Sequence, residues 1–243
     1  MTLNVLSLFA GIGGLELGLE RAGMTTVGQV EINPFCQQVL AQHWPGVPRH
    51  DDVRTAVQWW QSEPRPAVDV VCGGFPCQDI SNAGGRAGIT GARSGLWREM
   101  AETVCAVRPS FVLVENVAVL ASRGLDVVLG DLAQLGFDAE WGVVSACSVG
   151  APHMRKRLFI LAHPPGFGRE WRWGDRPNPQ DVEPQGRGPE HGGPWSVEPR
   201  PVGVAYGVPS RVDRLHALGN AVVPQVAELI GRQLMQHSLA GAA

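Results

Sequence analysis

Cys77 is the residue whose surroundings best suit nucleophilic chemistry. It follows Pro76 in the run VCGGFPCQDIS, where an apolar stretch predicted as a strand gives way to polar residues. A thiolate on a loop at the carboxyl edge of an α/β sheet lies where such enzymes place their chemistry, and it can attack an electron-poor carbon. The other cysteines, at 36, 72, 105 and 147, lack such surroundings and are expected to be buried as small apolar side chains.

Glu115 and two arginines are candidate partners for that cysteine. Glu115 and Asn116 end the apolar run FVLVENV, so a carboxylic acid would share the sheet edge with Cys77. Arg155 and Arg157 stand two apart at the start of a predicted strand, hence on one face, and either could bind a phosphate or a carbonyl oxygen. Considered singly, Glu115 also fits a helix cap or a solvated carboxylate, and the arginines also fit a solvated basic turn.

A glycine-rich turn, FAGIGG, joins the first predicted strand to a helix. Glycines at such a turn let the backbone approach a ligand and expose amide donors. Glu31, at the end of the second predicted strand, can accept from both ribose hydroxyls, and Asp52 in HDDV can accept from an adenine amino group. Together they predict an adenosine-containing cofactor. The turn alone also fits a simple tight turn, and NAD stays open although the spacing is not G-x-G-x-x-G.

Strands and helices alternate along the first two thirds of the chain. The apolar runs predicted as strands are 3–9, 25–30, 68–73, 110–114, 141–146 and 157–162. Helical spacing occurs at 34–43, 95–107 and 122–135, and a strong helical pattern resumes at 215–234. This order is typical of an α/β fold with a parallel sheet and helices on both faces. Between them, 164–209 is rich in Pro, Gly, Trp and Arg, which indicates a functional segment or a small lobe.

The bulk composition permits a nucleic-acid partner without requiring one. The formal net charge is -3, and Lys156 is the one lysine, so contacts with phosphate or guanine would fall to arginines. No apolar run approaches the roughly 18 residues of a membrane span. The N-terminus lacks the basic start of a signal peptide, and the five cysteines lack metal-type pairing. We expect a cytoplasmic protein without a membrane segment or a bound metal.

In this order the motifs resemble those of the cytosine-5 DNA methyltransferase family, most closely its bacterial and phage members. The resemblance covers about residues 3–162 and 212–235. FAGIGG resembles the cofactor loop, GGFPCQDIS the nucleophile motif, ENV the acid motif and MRKRLFI the arginine motif. GNAVVP, at 219–224, resembles the last motif, which packs back beside the cofactor loop.

The resemblance implies methyl transfer from S-adenosylmethionine to carbon 5 of a cytosine that is flipped out of double-stranded DNA. By resemblance Cys77 attacks carbon 6, Glu115 protonates ring nitrogen 3, and Arg157 binds the base carbonyl oxygen with Arg155 assisting nearby. The cofactor-binding positions that it implies are Phe9, Ala10, Gly11, Gly13, Gly14, Glu31, Ile32, Asp52, Val53, Asn220 and Ala221.

The implied architecture is an α/β, Rossmann-like sheet of an S-adenosylmethionine-dependent methyltransferase, with helices on both faces and a small irregular target-recognition lobe. Expected regions are a catalytic and cofactor-binding domain at 1–163, a small target-recognition region at 164–211 and a segment at 212–243 that returns to the catalytic domain. The implied partner is double-stranded DNA. A cognate restriction endonuclease would belong to the same system without direct contact, and the protein is expected to be a monomer.

Three departures from the family pattern concern target reading. His153 stands where the family usually has glutamine, the target-reading region is short, and the motif before the last is reduced to GVPSRVDRLHALGN. Within that region REWRWGDR, at 169–176, fits a DNA-reading segment or a structural aromatic cluster. The rival functions are a tRNA cytosine-5 methyltransferase, a non-catalytic DNA-binding relative, which the intact motif residues argue against, and a nicotinamide oxidoreductase, which the glycine turn alone supports.

Overall fold

A seven-stranded sheet runs through the part of the chain that the computed structural model describes, residues 2–76, 95–167 and 210–240. Its strands are β1 (Asn4–Leu8), β2 (Thr25–Val30), β3 (Arg49–His50), β4 (Val70–Gly73), β5 (Phe111–Val117), β6 (Asp138–Ser145) and β7 (Lys156–His163). The helices are α1 (Gly14–Arg21), α2 (Pro34–His43), α3 (Ala56–Gln61), α4 (Leu96–Val107), α5 (Leu125–Gln134), α6 (Arg211–Asn220) and α7 (Pro224–Ala240). Short 3-10 helices lie at Val53–Thr55, Ala118–Ser122 and Ala146–Val149.

The strand order β3-β2-β1-β4-β5-β7-β6 places β1 between β2 and β4. All pairings among β1 to β5 are parallel. The winding of the sheet therefore reverses at β1, and the loops that follow β1 and β4 leave from the same edge. Ligands bind in the crevice at such a reversal point, beyond the carboxyl ends of the strands.

The prediction of a purely parallel sheet is wrong for β7. This strand runs antiparallel to both of its neighbours, β5 and β6. The cause lies in the connection at 146–155, which contains only a short 3-10 helix. A parallel return needs a crossover of about a dozen residues or more, whereas a shorter connection folds β7 back against β6.

Helices cover both faces of the sheet, as predicted. Alternate residues of β1 divide between two clusters of buried apolar side chains. Val5 packs with Leu15 and Leu19 of α1 and with residues of α7. Leu6 packs in the opposite cluster, to which α3, α4 and α5 contribute Trp60, Met100 and Val128 among others.

The last helix returns to the sheet by close packing against α1. A Cβ on Gly18 would come within 2.3 Å of the Pro224 carbonyl oxygen, and one on Gly231 within 2.8 Å of the Ala22 Cβ. Two helices can approach this closely only where one of them carries no side chain. The helical pattern of 215–234 is interrupted at 221–223, because Pro224 disfavours a helical conformation in the residue before it.

Four of the five cysteines lie in the described residues. Cys36 and Cys72 are buried, as predicted. The prediction is wrong for Cys105 and Cys147, which are exposed. Cys105 lies on α4 beyond the buried Met100 and Val104, so it faces solvent, and Cys147 lies in the 3-10 helix before β7. Cys77 lies outside the described residues.

Residues 168–209 also lie outside the described residues, and they contain most of the predicted target-recognition region, including REWRWGDR. Within the described ranges, no helix is long and apolar enough to cross a membrane. The same ranges contain no group of three His, Cys, Asp or Glu side chains that could hold a metal ion.

Candidate active site

The glycine turn after β1 has an unusual backbone. Phe9, Gly11 and Gly13 have φ angles of 54°, 57° and 86°, in the left-handed region. For Phe9 such a conformation costs about 1–3 kcal/mol and persists only where the surroundings impose it. A Cβ on Gly11 would meet no described atom within 4 Å, so one side of the turn is open. Strained backbone beside open space is typical of a ligand-binding turn.

Glu31 is held beside that turn by two backbone amides. Its Oε2 accepts from the Gly11 N–H at 2.7 Å, and its Oε1 accepts from the Asn33 N–H at 2.7 Å. Asn33 also caps α2, accepting at its Oδ1 from the Phe35 and Cys36 N–H groups. The carboxylate is thus fixed at the end of β2 before any ligand binds, which favours specific recognition.

Asp52 lies two residues after β3 and caps the 3-10 helix that follows. Its Oδ1 accepts from the Arg54 N–H at 3.0 Å, and its Oδ2 lies 2.8 Å from Arg54 Nη2. The hydrogen bond from the Arg54 side chain lowers the pKa of Asp52. Nearby Val53 is buried, whereas Ile32 is 66% exposed at the same edge of the sheet. An apolar side chain presented next to two fixed carboxylates suits an adenosine ring and its ribose.

The C-terminal segment approaches the glycine turn at Val222, which follows the predicted cofactor residues Asn220 and Ala221. We call residues 219–223, which are the last two residues of α6 and the three that precede α7, the α6–α7 link. A Cβ on Gly14 would come within 2.5 Å of the Val222 carbonyl oxygen in this link. The last motif therefore packs beside the cofactor loop, as the resemblance implies.

An open groove of about 790 Å³ extends from the glycine turn to the segment just before β7 that contains His153 and Arg155. Gly13, Trp44, Ala221, His153 and Arg155 are among the described residues that line it. Glu31 and Asp52 are not among those residues. They stay the predicted contacts for an adenosine, because fixed polar groups orient a ligand more specifically than the width of an open groove.

Glu115 is buried at the carboxyl end of β5, with 7% of its surface exposed. Arg157 Nε, from β7, lies 2.9 Å from its Oε1. A Cβ on Gly74, just after β4, would come within 2.8 Å of its Oε2. Burial raises the pKa of Glu115 to about 7, although the positive charges of Arg157 and then Arg155 act in the opposite direction. The site therefore holds a carboxyl group that can carry a proton near neutral pH.

Asn116 fixes the chain that leads towards Cys77. Its Nδ2 donates to the Phe75 carbonyl oxygen at 3.1 Å, and both residues are buried. The Phe75 ring packs against Trp97, whose Nε1 donates to Asp131 Oδ2 at 2.7 Å. The backbone just before Pro76 is thereby held next to Glu115. Sequence reasoning missed Trp97 and Asp131, and for Asn116 the only signal was its place in ENV.

Arg155 and Arg157 lie on the same side of the sheet, as predicted. Both line a narrow cavity with Phe159, Val222 and Val223. Their side chains nevertheless engage different partners. Arg157 pairs with Glu115, whereas Arg155 Nη2 donates to the Gly219 carbonyl oxygen at 2.7 Å.

The arrangement of glycine turn, acidic strand ends and a buried carboxyl-arginine pair agrees with the comparison with known families. The family model for C-5 cytosine-specific DNA methylase matches residues 3–185. This chain belongs to that family. The Rossmann-like sheet with helices on both faces is confirmed. S-adenosylmethionine is the methyl donor that this family implies as a general property.

Curated relatives of this chain are named as Type II methyltransferases. Type II methyltransferase M2.BsuMI of Bacillus subtilis (strain 168) is 38% identical over 168 residues, which cover 66% of this chain and 42% of that protein. Type II methyltransferase M.CviJI of Paramecium bursaria Chlorella virus IL3A is 34% identical over 163 residues, which cover 67% of this chain and 43% of that protein. The chain spans less than half the length of these relatives.

The fold also matches a solved structure. The S. pombe Dnmt2 methyltransferase superposes with a TM-score of 0.56 at 23% sequence identity, covering 67% of this chain and 51% of that chain. At this identity the match supports the fold alone.

Proposed function

We propose that this methylase transfers a methyl group from S-adenosylmethionine to carbon 5 of a flipped-out cytosine in a specific double-stranded DNA sequence, through a covalent Cys77 adduct. The observation that supports it best is the buried Glu115, paired with Arg157 at 2.9 Å beside the strand end that leads towards Cys77. A protonated acid and a guanidinium, side by side and shielded from water, match the ring nitrogen and carbonyl oxygen of cytosine.

Glu115 and Arg157 prepare the ring for attack. Arg157 binds the base carbonyl oxygen, and the protonated Glu115 donates its proton to ring nitrogen 3, which draws electrons away from carbon 6. The Cys77 thiolate then forms a bond to carbon 6, and carbon 5 becomes an enamine carbon that can take a methyl group. Removal of the carbon 5 proton by a base then expels the thiolate, and the proton on ring nitrogen 3 returns to Glu115, which restores the aromatic ring.

The residues of the glycine turn fit an adenosine-containing methyl donor. Gly11 leaves its open side free for close approach, and Glu31 is already fixed for a ribose. S-adenosylmethionine, when bound, supplies an electrophilic methyl group. The residues that would hold it are Phe9, Ala10, Gly11, Gly13, Gly14, Glu31, Ile32, Asp52, Val53, Asn220 and Ala221. None of these residues needs to transfer a proton, so their part is to bind and orient.

Duplex DNA is the proposed substrate, because the relatives named above are Type II methyltransferases and this favours DNA over the tRNA alternative. We further propose that 1–163 forms the catalytic and cofactor-binding domain, that 164–211 reads the target and that 212–243 completes the catalytic domain. A cognate restriction endonuclease would share the recognition sequence without contact. The protein would act as a cytoplasmic monomer.

The covalent step can be tested with duplex DNA that carries 5-fluorocytosine at the target. Fluorine replaces the proton whose removal releases the cysteine, so the reaction should stop as a protein–DNA adduct that survives denaturing electrophoresis. The adduct should require S-adenosylmethionine and should be lost in Cys77→Ser. Cys105→Ser is the matched control, because Cys105 is an exposed thiol on α4 and its loss should leave the adduct intact.

Two results would contradict this mechanism. An adduct that persists in Cys77→Ser would assign the nucleophile to another residue. Methylation of ordinary duplex DNA without any adduct on the fluorinated duplex would indicate a different kind of transfer. Incubation with tRNA in parallel separates the substrates, since methylation of tRNA but not of DNA would overturn the proposed substrate.

A further inference from the structure

Arg155 and Gly219 are 64 residues apart in sequence, yet Arg155 Nη2 donates to the Gly219 carbonyl oxygen at 2.7 Å. Gly219 belongs to the last turn of α6. Carbonyl groups in the last turn of a helix accept no hydrogen bond from an N–H group of the same helix. The partial negative charge of the helix C-terminus also lies here, so a guanidinium satisfies a free acceptor and stabilises that charge. Arg155 thus caps α6 from a distant part of the chain.

The backbone of Arg155 is itself fixed. Its carbonyl oxygen accepts from the Ala146 N–H at 3.2 Å, in the 3-10 helix that follows β6. The side chain is half-buried. This burial lowers the pKa of Arg155, and the like charge of Arg157 lowers it further. A cation kept in such surroundings needs a compensating acceptor, which the Gly219 carbonyl supplies.

The α6–α7 link is also held from its other side. The close approach of Gly14 to the Val222 carbonyl oxygen ties the link to the glycine turn. Val222 and Val223 line the narrow cavity that Arg155 and Arg157 also line. The link therefore lies between the turn proposed to bind the cofactor and the arginine proposed to bind the base.

We propose that Arg155 is a positioning residue, which fastens the α6–α7 link and so joins the cofactor-binding Asn220 and Ala221 to the base-binding side of the site. Arg155 acts through the Gly219 carbonyl and not by touching the base, unlike Arg157. This inference rests on the proposed function for the identity of the cofactor. It predicts that Arg155 controls S-adenosylmethionine affinity even when no DNA is present.

The test compares Arg155→Ala and Arg155→Lys with the wild type by calorimetric titration of S-adenosylmethionine without DNA. Loss of a charge-assisted hydrogen bond should weaken binding by about 5- to 10-fold in Arg155→Ala. Lysine can still donate to the carbonyl, so Arg155→Lys should stay within about threefold of the wild type. Arg232→Ala is the matched control, since Arg232 pairs with Glu228 on the outer side of α7 and its loss should change nothing.

Two further readouts separate positioning from contact with the base. Backbone amides of 219–223 should exchange hydrogen faster in Arg155→Ala than in the wild type. At saturating S-adenosylmethionine, turnover of that variant should recover to within about twofold, because a weaker cofactor contact raises KM rather than lowering kcat.

Unchanged cofactor affinity together with unchanged amide exchange in Arg155→Ala would overturn the inference and leave the proposed function standing. Turnover that stays low at saturating cofactor would likewise overturn the inference, because it would indicate that Arg155 contacts the cytosine base. A wild type that binds no S-adenosylmethionine would overturn the proposed cofactor instead. The exchange measurement would then still decide whether Arg155 holds the link.

Discussion

Glu115 shows how burial and a neighbouring charge compete at a single residue. A carboxyl beside a guanidinium is ordinarily ionised well below neutral pH, and Arg157 lies 2.9 Å from this one. The side chain is almost completely enclosed, however, and burial outweighs the pair and raises the pKa of Glu115 to about 7. The two effects together leave the acid able to hold a proton while Arg157 keeps it oriented.

We predict that methyl transfer depends on the protonated form of Glu115. Since the pKa of Glu115 is raised to about 7, kcat/KM should fall as the pH rises through about 7. Glu115→Gln keeps a hydrogen-bond donor but transfers no proton, so its rate should drop by about 10²- to 10⁴-fold. Glu102→Gln, at an exposed position of α4, should match the wild type. A wild-type rate that stays constant from pH 6 to 9 would contradict the assignment.

Glu16 is a second buried carboxyl, behind the glycine turn and away from solvent. It is fully buried in the first turn of α1, against a face of the sheet where Ser7 pairs in register with Gln29 and Cys72. Neither Glu16 oxygen has a hydrogen-bond partner within the described residues. Burial raises the pKa of Glu16 to about 7 and raises the pKa of the Cys72 thiol as well. The neutral acid is therefore the form that the fold favours.

We predict that Glu16 makes the protein less stable as the pH rises. An acid whose folded pKa lies above its unfolded value stabilises the fold fully below the unfolded pKa, and this stability is lost as the pH rises through the folded one. A change from 4.5 to about 7 corresponds to about 3 kcal/mol, lost between those two pH values. Glu16→Gln cannot ionise, so its unfolding free energy relative to the wild type should be higher at pH 8 than at pH 5 by about 2–3 kcal/mol.

Urea unfolding at the two pH values would measure this difference. Glu102→Gln, whose side chain is 50% exposed, should give the same difference from the wild type at both pH values. If the unfolding free energy of Glu16→Gln differs from that of the wild type by the same amount at both pH values, Glu16 is not buried as the neutral acid.

At the scale of the elements, the contact between α1 and α7 depends on glycines. Gly18 faces the Pro224 carbonyl oxygen at 2.3 Å and the Ala227 Cβ at 2.5 Å, measured from the position that a Cβ would occupy. Gly130, on α5, has nothing within 4 Å of that position among the described residues. The two glycines lie in helices, so alanine removes backbone freedom at both and creates a clash at only one.

We therefore predict opposite effects of the same substitution. Gly18→Ala should destabilise the protein by about 1–3 kcal/mol, because α7 must move away from α1. Gly130→Ala should stabilise it by about 0.5–1 kcal/mol, through the better helix propensity of alanine. Thermal and urea unfolding of both variants would measure the change. A neutral Gly18→Ala would mean that α7 does not pack against α1 this closely.

Local elements could be predicted from the sequence because their signals are local. The bounds of β2 and α2 agree with the predicted 25–30 and 34–43, since apolar periodicity and the Asn33-Pro34 start of α2 specify them. Contacts between distant segments carry no such signal. Asn116 meets Phe75 41 residues away and Arg155 meets Gly219 64 residues away, and neither spacing indicates which groups will pair.

At the scale of the whole molecule, strand order explains why scattered motifs meet. β1 and β4 are neighbours, and β4 pairs with β5, so the glycine turn, the approach to Cys77 and Glu115 leave from one sheet edge. β7 runs antiparallel to β5, so its beginning, not its end, reaches that edge and brings Arg157 to Glu115. The direction of β7, which the parallel prediction missed, is thus what completes the site.

Contacts at Gly166 and Phe167 limit where the proposed target-reading segment can be exchanged. Phe167 packs against Phe111 with ring centroids 4.8 Å apart, and the Gly166 N–H donates to Asp138 Oδ2, so the chain is anchored to the sheet up to 167. It is anchored again near the end of α6, where Arg155 donates to the Gly219 carbonyl oxygen. We predict that replacing 168–209 by the corresponding segment of a Type II relative changes which DNA sequence is methylated. The free energy of unfolding should stay unchanged. Replacing 164–211 instead should also lower stability, because it removes the Phe167 anchor.

Bisulfite sequencing of DNA from cells that express each chimera would identify the methylated sites. A chimera that is active on the original sequence would place target recognition outside this segment.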